Sequence, residues 1–225
     1  MKIIFDCFGT LIDTGTGSVG AAAEILRNVG SDLDPAAFYR EWKALKREMT
    51  EKACFDAFQS EKKLFEISLG ETFRKNGIRA DAAKEAAPMI RTLFSVRKVY
   101  PETRETLAML DRKGTEWAIG STTDTDSLLH FMKWNGLKAA RIFTSEDLRV
   151  YKPDPRFYRA ILEKTGWDAG ECLWVGDSLT DDVKGPQVVG MKTALIDRKN
   201  SYSAACGVKP DHVIASLLDL EALIV

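Results

Sequence analysis

The apolar and polar positions of the chain fall into three stretches of different rhythm. Residues 2–6, Lys-Ile-Ile-Phe-Asp, form a short apolar run that ends on an acid and leads into Phe-Gly-Thr, the pattern of a buried strand entering a tight turn. From about residue 14 to 95 the apolar positions recur at helical spacing. They predict helices over 18–29, 35–52, 59–77 and 80–94, separated by Gly30-Ser31, Asp34-Pro35 and Gly77, with no strand pattern among them. Beyond Tyr100-Pro101 helix and strand alternate: helix 102–113, strand 115–120, helix 125–135, strand 141–143, helix 155–166, strand 172–175, helix 180–189, strands 191–196 and 211–214, and a terminal helix 216–223.

Such alternation predicts a parallel sheet with helices on both faces. The N-terminal strand belongs with that sheet, because a lone strand cannot bury both faces inside a helical bundle. The expected fold is α/β, a doubly wound parallel-sheet (Rossmann-like) core of residues 1–13 and 96–225, interrupted by an all-helical insertion of residues 14–95. The 45% hydrophobic and 29% charged residues are ordinary for a chain that folds around a core. Lys and Arg number 32 against 33 Asp and Glu, so no overall field recruits nucleic acid or an anionic membrane. The first apolar run is too short for a signal peptide, and no stretch reaches the roughly 18 apolar residues of a membrane span. A soluble, cytoplasmic protein is expected. Four scattered cysteines, Cys7, Cys54, Cys172 and Cys206, lack the close pairing of a zinc site or redox dithiol and read as reduced thiols. Cys7 reads as a small core residue, since neither His130 nor His212 is spaced to activate it.

Four segments that follow predicted strands should converge on one edge of the sheet. They carry the Asp6 carboxylate, the Ser121 and Thr122 hydroxyls, the Lys152 ammonium, and the acids Asp177, Asp181 and Asp182. Opposed acids and a lysine around tight turns suit a hard divalent cation together with a phosphate-like anion.

In these segments the chain resembles the haloacid dehalogenase superfamily. The resemblance rests on Asp6-Cys7-Phe8-Gly9-Thr10-Leu11, on Ser121 after Ala-Ile-Gly, on Lys152 within Val-Tyr-Lys-Pro-Asp-Pro, and on Gly176-Asp177-Ser178 continuing to Asp182. It implies that Asp6 is a covalent nucleophile, with Ser121 and Lys152 holding phosphoryl oxygens. It also implies Mg²⁺ bound by Asp6, the Phe8 backbone carbonyl and Asp177. Thr10, Thr122, Ser178 and Asp182 would support the site, Asp182 by holding Lys152 or from behind the metal ligands. Asp181 reads as a charge at a helix N-terminus. The helical insertion is implied to be a cap that closes over the site and selects a small anionic substrate.

The pattern is broken at Phe8, where family phosphatases carry a second Asp that protonates the leaving alkoxide. An aromatic residue there resembles the 2-haloacid dehalogenases, which displace halide without a metal, as do Val150-Tyr151-Lys152 and Tyr39-Arg40. Gly176-Asp177-Ser178 with Asp182 has the phosphatase form. The expected function is a magnesium-dependent phosphatase acting through an aspartyl-phosphate. The alternatives are a 2-haloacid dehalogenase and a weakly active phosphate-binding module. Thr122 stands where Asn is frequent, and Asp124 or Asp126 could relay a proton, although acids opening a helix are usually caps. Lys43, Lys46, Arg47 and Lys52 read as a solvated helix face, and Trp42, Phe55, Phe58, Phe65 and Phe73 as core.

Overall fold

The computed structural model describes residues 1–15, 17–95 and 97–224. Six parallel strands form one sheet: β1 (Lys2–Phe5), β2 (Trp117–Ser121), β3 (Ile142–Thr144), β4 (Cys172–Gly176), β5 (Lys192–Ile196) and β6 (His212–Ile214). Their spatial order is β3-β2-β1-β4-β5-β6. The chain adds strands on one side of β1 and then crosses to the other, so the order reverses beside β1, where open α/β sheets form a ligand crevice. Phe5 is level with Ile119 of β2 and Val175 of β4. Asp6, Ser121 and Asp177 therefore leave the sheet side by side.

Between β1 and β2 the chain forms α1 (Gly17–Asn28), α2 (Pro35–Lys52), α3 (Glu61–Lys75), α4 (Ala82–Glu85) and α5 (Ala87–Thr92). Asp34 starts α2 by accepting from the Ala37 N–H ahead of Pro35, and Ser60 caps α3 through Lys63. The helices enclose their own core of Ile25, Phe38, Trp42, Phe65, Leu69, Phe73 and Met89. The buried Trp42 indole is satisfied by the Ser68 hydroxyl at 2.8 Å. Phe55, expected in this core, is exposed, and Phe58 is half-buried and stacks on Tyr151 instead.

The rest of the chain supplies α6 (Thr103–Arg112), α7 (Thr125–Trp134), α8 (Ser145–Leu148), α9 (Pro155–Thr165) and α10 (Gly185–Val188). Side chains alternate along each strand. Ile3, Phe5, Ile119 and Val175 pack with Leu110, Leu128 and Phe131 on one face; Ile4, Ala118 and Trp174 pack with Phe157, Tyr158 and Ile161 on the other. Cys7 is fully buried in the first of these layers, as expected; Cys7, Cys54 and Cys172 are free thiols, and the Cys206 side chain lies outside the described set.

The differences from the expected elements are local. The helix expected over 80–94 is two pieces, with Pro88 opening the second. The one expected over 180–189 is a π-helical turn, Leu179–Lys184, followed by α10, and Pro186 stands at that junction. The terminal helix is a 3₁₀ segment, Leu217–Ala222, closed by a Ser216/Asp219 capping box. Lys152 follows the single turn α8 rather than β3 directly. Among the described residues no helix is long and apolar enough to cross a membrane.

Candidate active site

The first of the four segments leaves β1 at Asp6, whose N–H donates to the Val175 carbonyl at 2.8 Å and ties it to β4. The loop then turns at Gly9, with φ +97, a conformation that strains any residue with a Cβ. A Cβ there would also stand 2.5 Å from the Asp177 carboxylate. Arg198, just past β5, clamps this loop. Its Nη1 and Nη2 donate to the carbonyls of Gly9 (2.9 Å) and Thr10 (2.8 Å), while Glu102 holds its Nε and Nη2. Nothing local in the sequence marks Arg198 for this role.

Lys152 is 2% exposed and sits between two acids. Its Nζ donates to Asp6 Oδ1 at 2.8 Å and to Asp182 Oδ1 at 3.0 Å. A lysine ammonium has three N–H donors, so one remains for a ligand. Asp182 is fixed on both sides: Oδ1 also accepts from the Trp174 indole at 2.9 Å, and Oδ2 from the Ser178 N–H at 3.0 Å. Gly120 makes this possible, because a Cβ at that position would lie 2.6 Å from the Trp174 ring. Asp182 thus holds Lys152, one of the two roles expected for it. Ser178 caps the π-helical turn through the Asp181 N–H.

Burial raises Asp6 to about 7; Lys152 pulls it down, and Asp182 and Asp177 push it up again. Burial also opposes charge on Lys152, but Asp182 and Asp6 outweigh it and hold the ammonium above its ordinary range. Asp177, at the open mouth, is displaced upward by partial desolvation and by Asp182. Carboxylate oxygens of Asp6, Asp177 and Asp182 all lie within 4.8 Å of one another. Asp182 is already engaged, but Asp6 Oδ2 accepts no hydrogen bond from the described residues, and from other described residues Asp177 receives only a long 3.5 Å contact, from Thr10 Oγ1. The Phe8 carbonyl likewise accepts none among them. Three acids against one ammonium, with free hard oxygens, are a donor set that fits a divalent cation.

Ser121 is buried at the end of β2, and Thr122 beside it lines two adjoining cavities. One, of about 210 Å³, reaches Lys152, Arg47 and Tyr151. The other, of about 450 Å³, is walled by Phe8, Tyr39, Glu61, Arg97 and Phe131, and both are bordered by Lys43 and Lys46. The basic face of α2 is therefore not simply solvated. Lys46 pairs with Glu61 at 2.7 Å, and Arg47 grips both oxygens of Asp181 at 2.9 and 2.6 Å. Lys52 stays exposed. Asp181, expected as a helix charge, bridges the helical layer to the core. Helical spacing puts Lys43, Lys46 and Arg47 on one side of α2, with Lys52 opposite, but does not tell what that side meets. Arg40 is exposed and does not line either cavity.

Asp124 is fully buried, and its two oxygens accept from the N–H groups of Glu61 (2.6 Å) and Lys62 (3.1 Å). It caps the first turn of α3 from across the interface and is not free to relay a proton. Lys62 reaches Asp126 at 2.7 Å. Asp124→Asn should cost about 1 kcal/mol of stability, because the amide oxygen keeps only one of the two N–H bonds, while turnover persists; thermal melts and a turnover assay on the same sample check this.

Over residues 3–190 the sequence matches the haloacid dehalogenase-like hydrolases, and the chain belongs to this family. It is 30% identical to the pyrophosphatase PpaX of Bacillus velezensis over 232 residues, 97% of this chain and 93% of that protein. It is 24% identical to (S)-2-haloacid dehalogenase 4A of Burkholderia cepacia, covering 98% and 93%. By contrast, it spans 52% of Haloacid dehalogenase-like hydrolase domain-containing protein 3 of Danio rerio, at 30% identity. The L-2-haloacid dehalogenase RSc1362 shares the fold with a TM-score of 0.80 at 19% identity, over 99% of this chain and 97% of that one.

Proposed function

We propose that the chain is a magnesium-dependent phosphatase that hydrolyses a small phosphorylated metabolite through an aspartyl-phosphate on Asp6. The observation that carries this reading is the excess of acids: Asp6 and Asp182 share the single Lys152 ammonium, and Asp177 stands beside them with largely free oxygens. Displacing halide from a monoanionic acid gives such a carboxylate no task. A bound Mg²⁺, held by Asp6, Asp177 and the Phe8 carbonyl, would supply the positive charge that lets an anionic nucleophile approach an anionic phosphoryl group. Residues 14–95 are taken as the cap that covers the reaction.

In this mechanism Asp6 Oδ2 attacks phosphorus as the bond to the leaving oxygen breaks. The free N–H of Lys152 and the Ser121 hydroxyl hold the phosphoryl oxygens. Water then attacks phosphorus and releases phosphate, regenerating the carboxylate. Phe8 offers no proton to the leaving alkoxide, so phosphates with good leaving groups should be preferred. Phe8→Asp should raise turnover of alkyl phosphates roughly 100-fold with little effect on aryl phosphates; a leaving-group series with both proteins checks this.

The metal site is tested by stability against pH. From about pH 4 to about pH 7 the folded Asp6 keeps a proton that the unfolded chain has lost. Stability from this group therefore falls as pH rises through that window in the metal-free protein. A cation must displace that proton, so millimolar Mg²⁺ should raise the melting temperature by several degrees at pH 8 and by much less at pH 5.5. An equal shift at both, or none, counts against a metal on Asp6.

One observation favours 2-haloacid dehalogenation through an aspartyl ester on Asp6: Phe8 presents an aromatic wall to the larger cavity, its ring centroid 5.0 Å from that of Phe131.

A further inference from the structure

The larger cavity holds a cation that the chemistry above leaves unused. Arg97 lies where the chain returns from α5 to α6, half-buried, with its guanidinium carbon 5.6 Å from the ring centroid of Phe8 and 5.5 Å from that of Phe131. These rings stabilise the charge weakly and keep water from it. Its hydrogen bonding among the described residues is a single bond, Nη2–H to the Thr92 carbonyl at 3.1 Å. A guanidinium has five N–H donors, so four are free. Glu61, Tyr39 and Asp13 favour its charge without an ion pair to it among the described residues, and Glu61 is already held by Lys46 and the Thr123 hydroxyl. Burial accordingly depresses Arg97 below its ordinary value, with no ion pair to offset it. Fully buried arginines are nearly always paired; the unpaired side of this half-buried one borders a cavity of about 450 Å³.

We propose that Arg97 is a specificity-determining residue that binds a carboxylate at the far end of the substrate, which makes the substrate class a small organic phosphate bearing a carboxylate. The phosphate half of this statement rests on the proposed phosphatase reading; the carboxylate half rests on Arg97 alone. A planar two-oxygen acceptor matches the paired N–H groups of a guanidinium. One arginine balances one negative charge, whereas a second, dianionic phosphate would remain half-compensated beside Phe8 and Phe131. Lys46 is not a rival, because Glu61 neutralises it, and Lys43, which also borders the cavity, is exposed, so that water screens its charge.

The test is calorimetric binding of three unreactive probes with Mg²⁺ present: phosphonoacetate, ethylphosphonate, which lacks the carboxylate, and lactate, which lacks the phosphoryl group. The wild type should prefer phosphonoacetate over ethylphosphonate by roughly 10–100-fold, the range for a charge-assisted hydrogen-bonded pair. In Arg97→Met the preference should fall to about twofold or less with ethylphosphonate binding unchanged, which also shows the variant folded; Arg97→Lys should recover part of it. A preference that survives in Arg97→Met, or is absent from the wild type while both phosphonates bind, overturns the inference and leaves the phosphatase reading intact. Arg97-dependent binding of lactate without either phosphonate overturns the phosphatase reading and keeps the carboxylate role. Binding of none of the three overturns both.

Discussion

Asp6→Asn is expected to lower kcat by at least about 10⁴-fold, the scale on which removal of a covalent nucleophile acts, with little loss of stability. The Asn amide oxygen can still accept from Lys152, which keeps Asp182 as its charged partner at 3.0 Å. Burial raises the Asp6 carboxyl, and Asp182 and Asp177 add to that against the pull of Lys152, so neutralising it also removes repulsion from the acid cluster. Phosphate release and a thermal melt on the same preparation separate the outcomes. Residual activity within tenfold of wild type would remove Asp6 as the nucleophile; loss of fold together with activity would make it a structural acid instead.

Lys152→Met is expected to cost about 3–5 kcal/mol of stability, because it leaves buried carboxylates without their cation, and to abolish turnover as well. Lys152 is the shared donor to Asp6 and Asp182 in a site closed by the Trp174 ring, 4.7 Å from its Nζ. The deficit should depend on pH. Without the lysine, Asp6 loses the one group that pulls it down, so it holds its proton to higher pH than the wild-type value of about 7. As pH falls through that region the orphaned acid neutralises, and the gap between variant and wild type should narrow. Chemical denaturation at pH 8 and pH 5.5 measures it; a deficit equal at both values, or below about 1 kcal/mol, would contradict the buried-pair account.

The sheet and its active edge were readable because the signal is local. Ser121 ends β2, and Asp6 and Asp177 stand just past β1 and β4, where alternation of helix and strand announces the sheet and short motifs announce the turns. Asp182 was legible as an acid, but its indole partner was not: Trp174 looked like an ordinary apolar strand residue, and only packing against Gly120 turns its N–H toward the site. The Arg198 clamp, and the place of Arg97 and Glu61 in the wall of the larger cavity, are not legible for a related reason. Each reaches the site from a segment distant in sequence, and no spacing encodes that approach. Among the cations of α2, Lys43 and Lys52 are exposed as expected, whereas Lys46 and Arg47 meet Glu61 and Asp181, because helical periodicity separates faces without saying what each one meets. Pro88 and Pro186 were visible signals that the helices expected over 80–94 and 180–189 do not run unbroken; amphipathic spacing masked them.

Phosphoryl transfer at Asp6 is tested most directly by giving the purified chain an activated aryl phosphate and 2-chloropropionate in parallel, each with Mg²⁺ and with EDTA. Phosphate release that requires Mg²⁺, with no halide from 2-chloropropionate, is the predicted result. Halide release unaffected by EDTA, with no phosphate released under either condition, would contradict it.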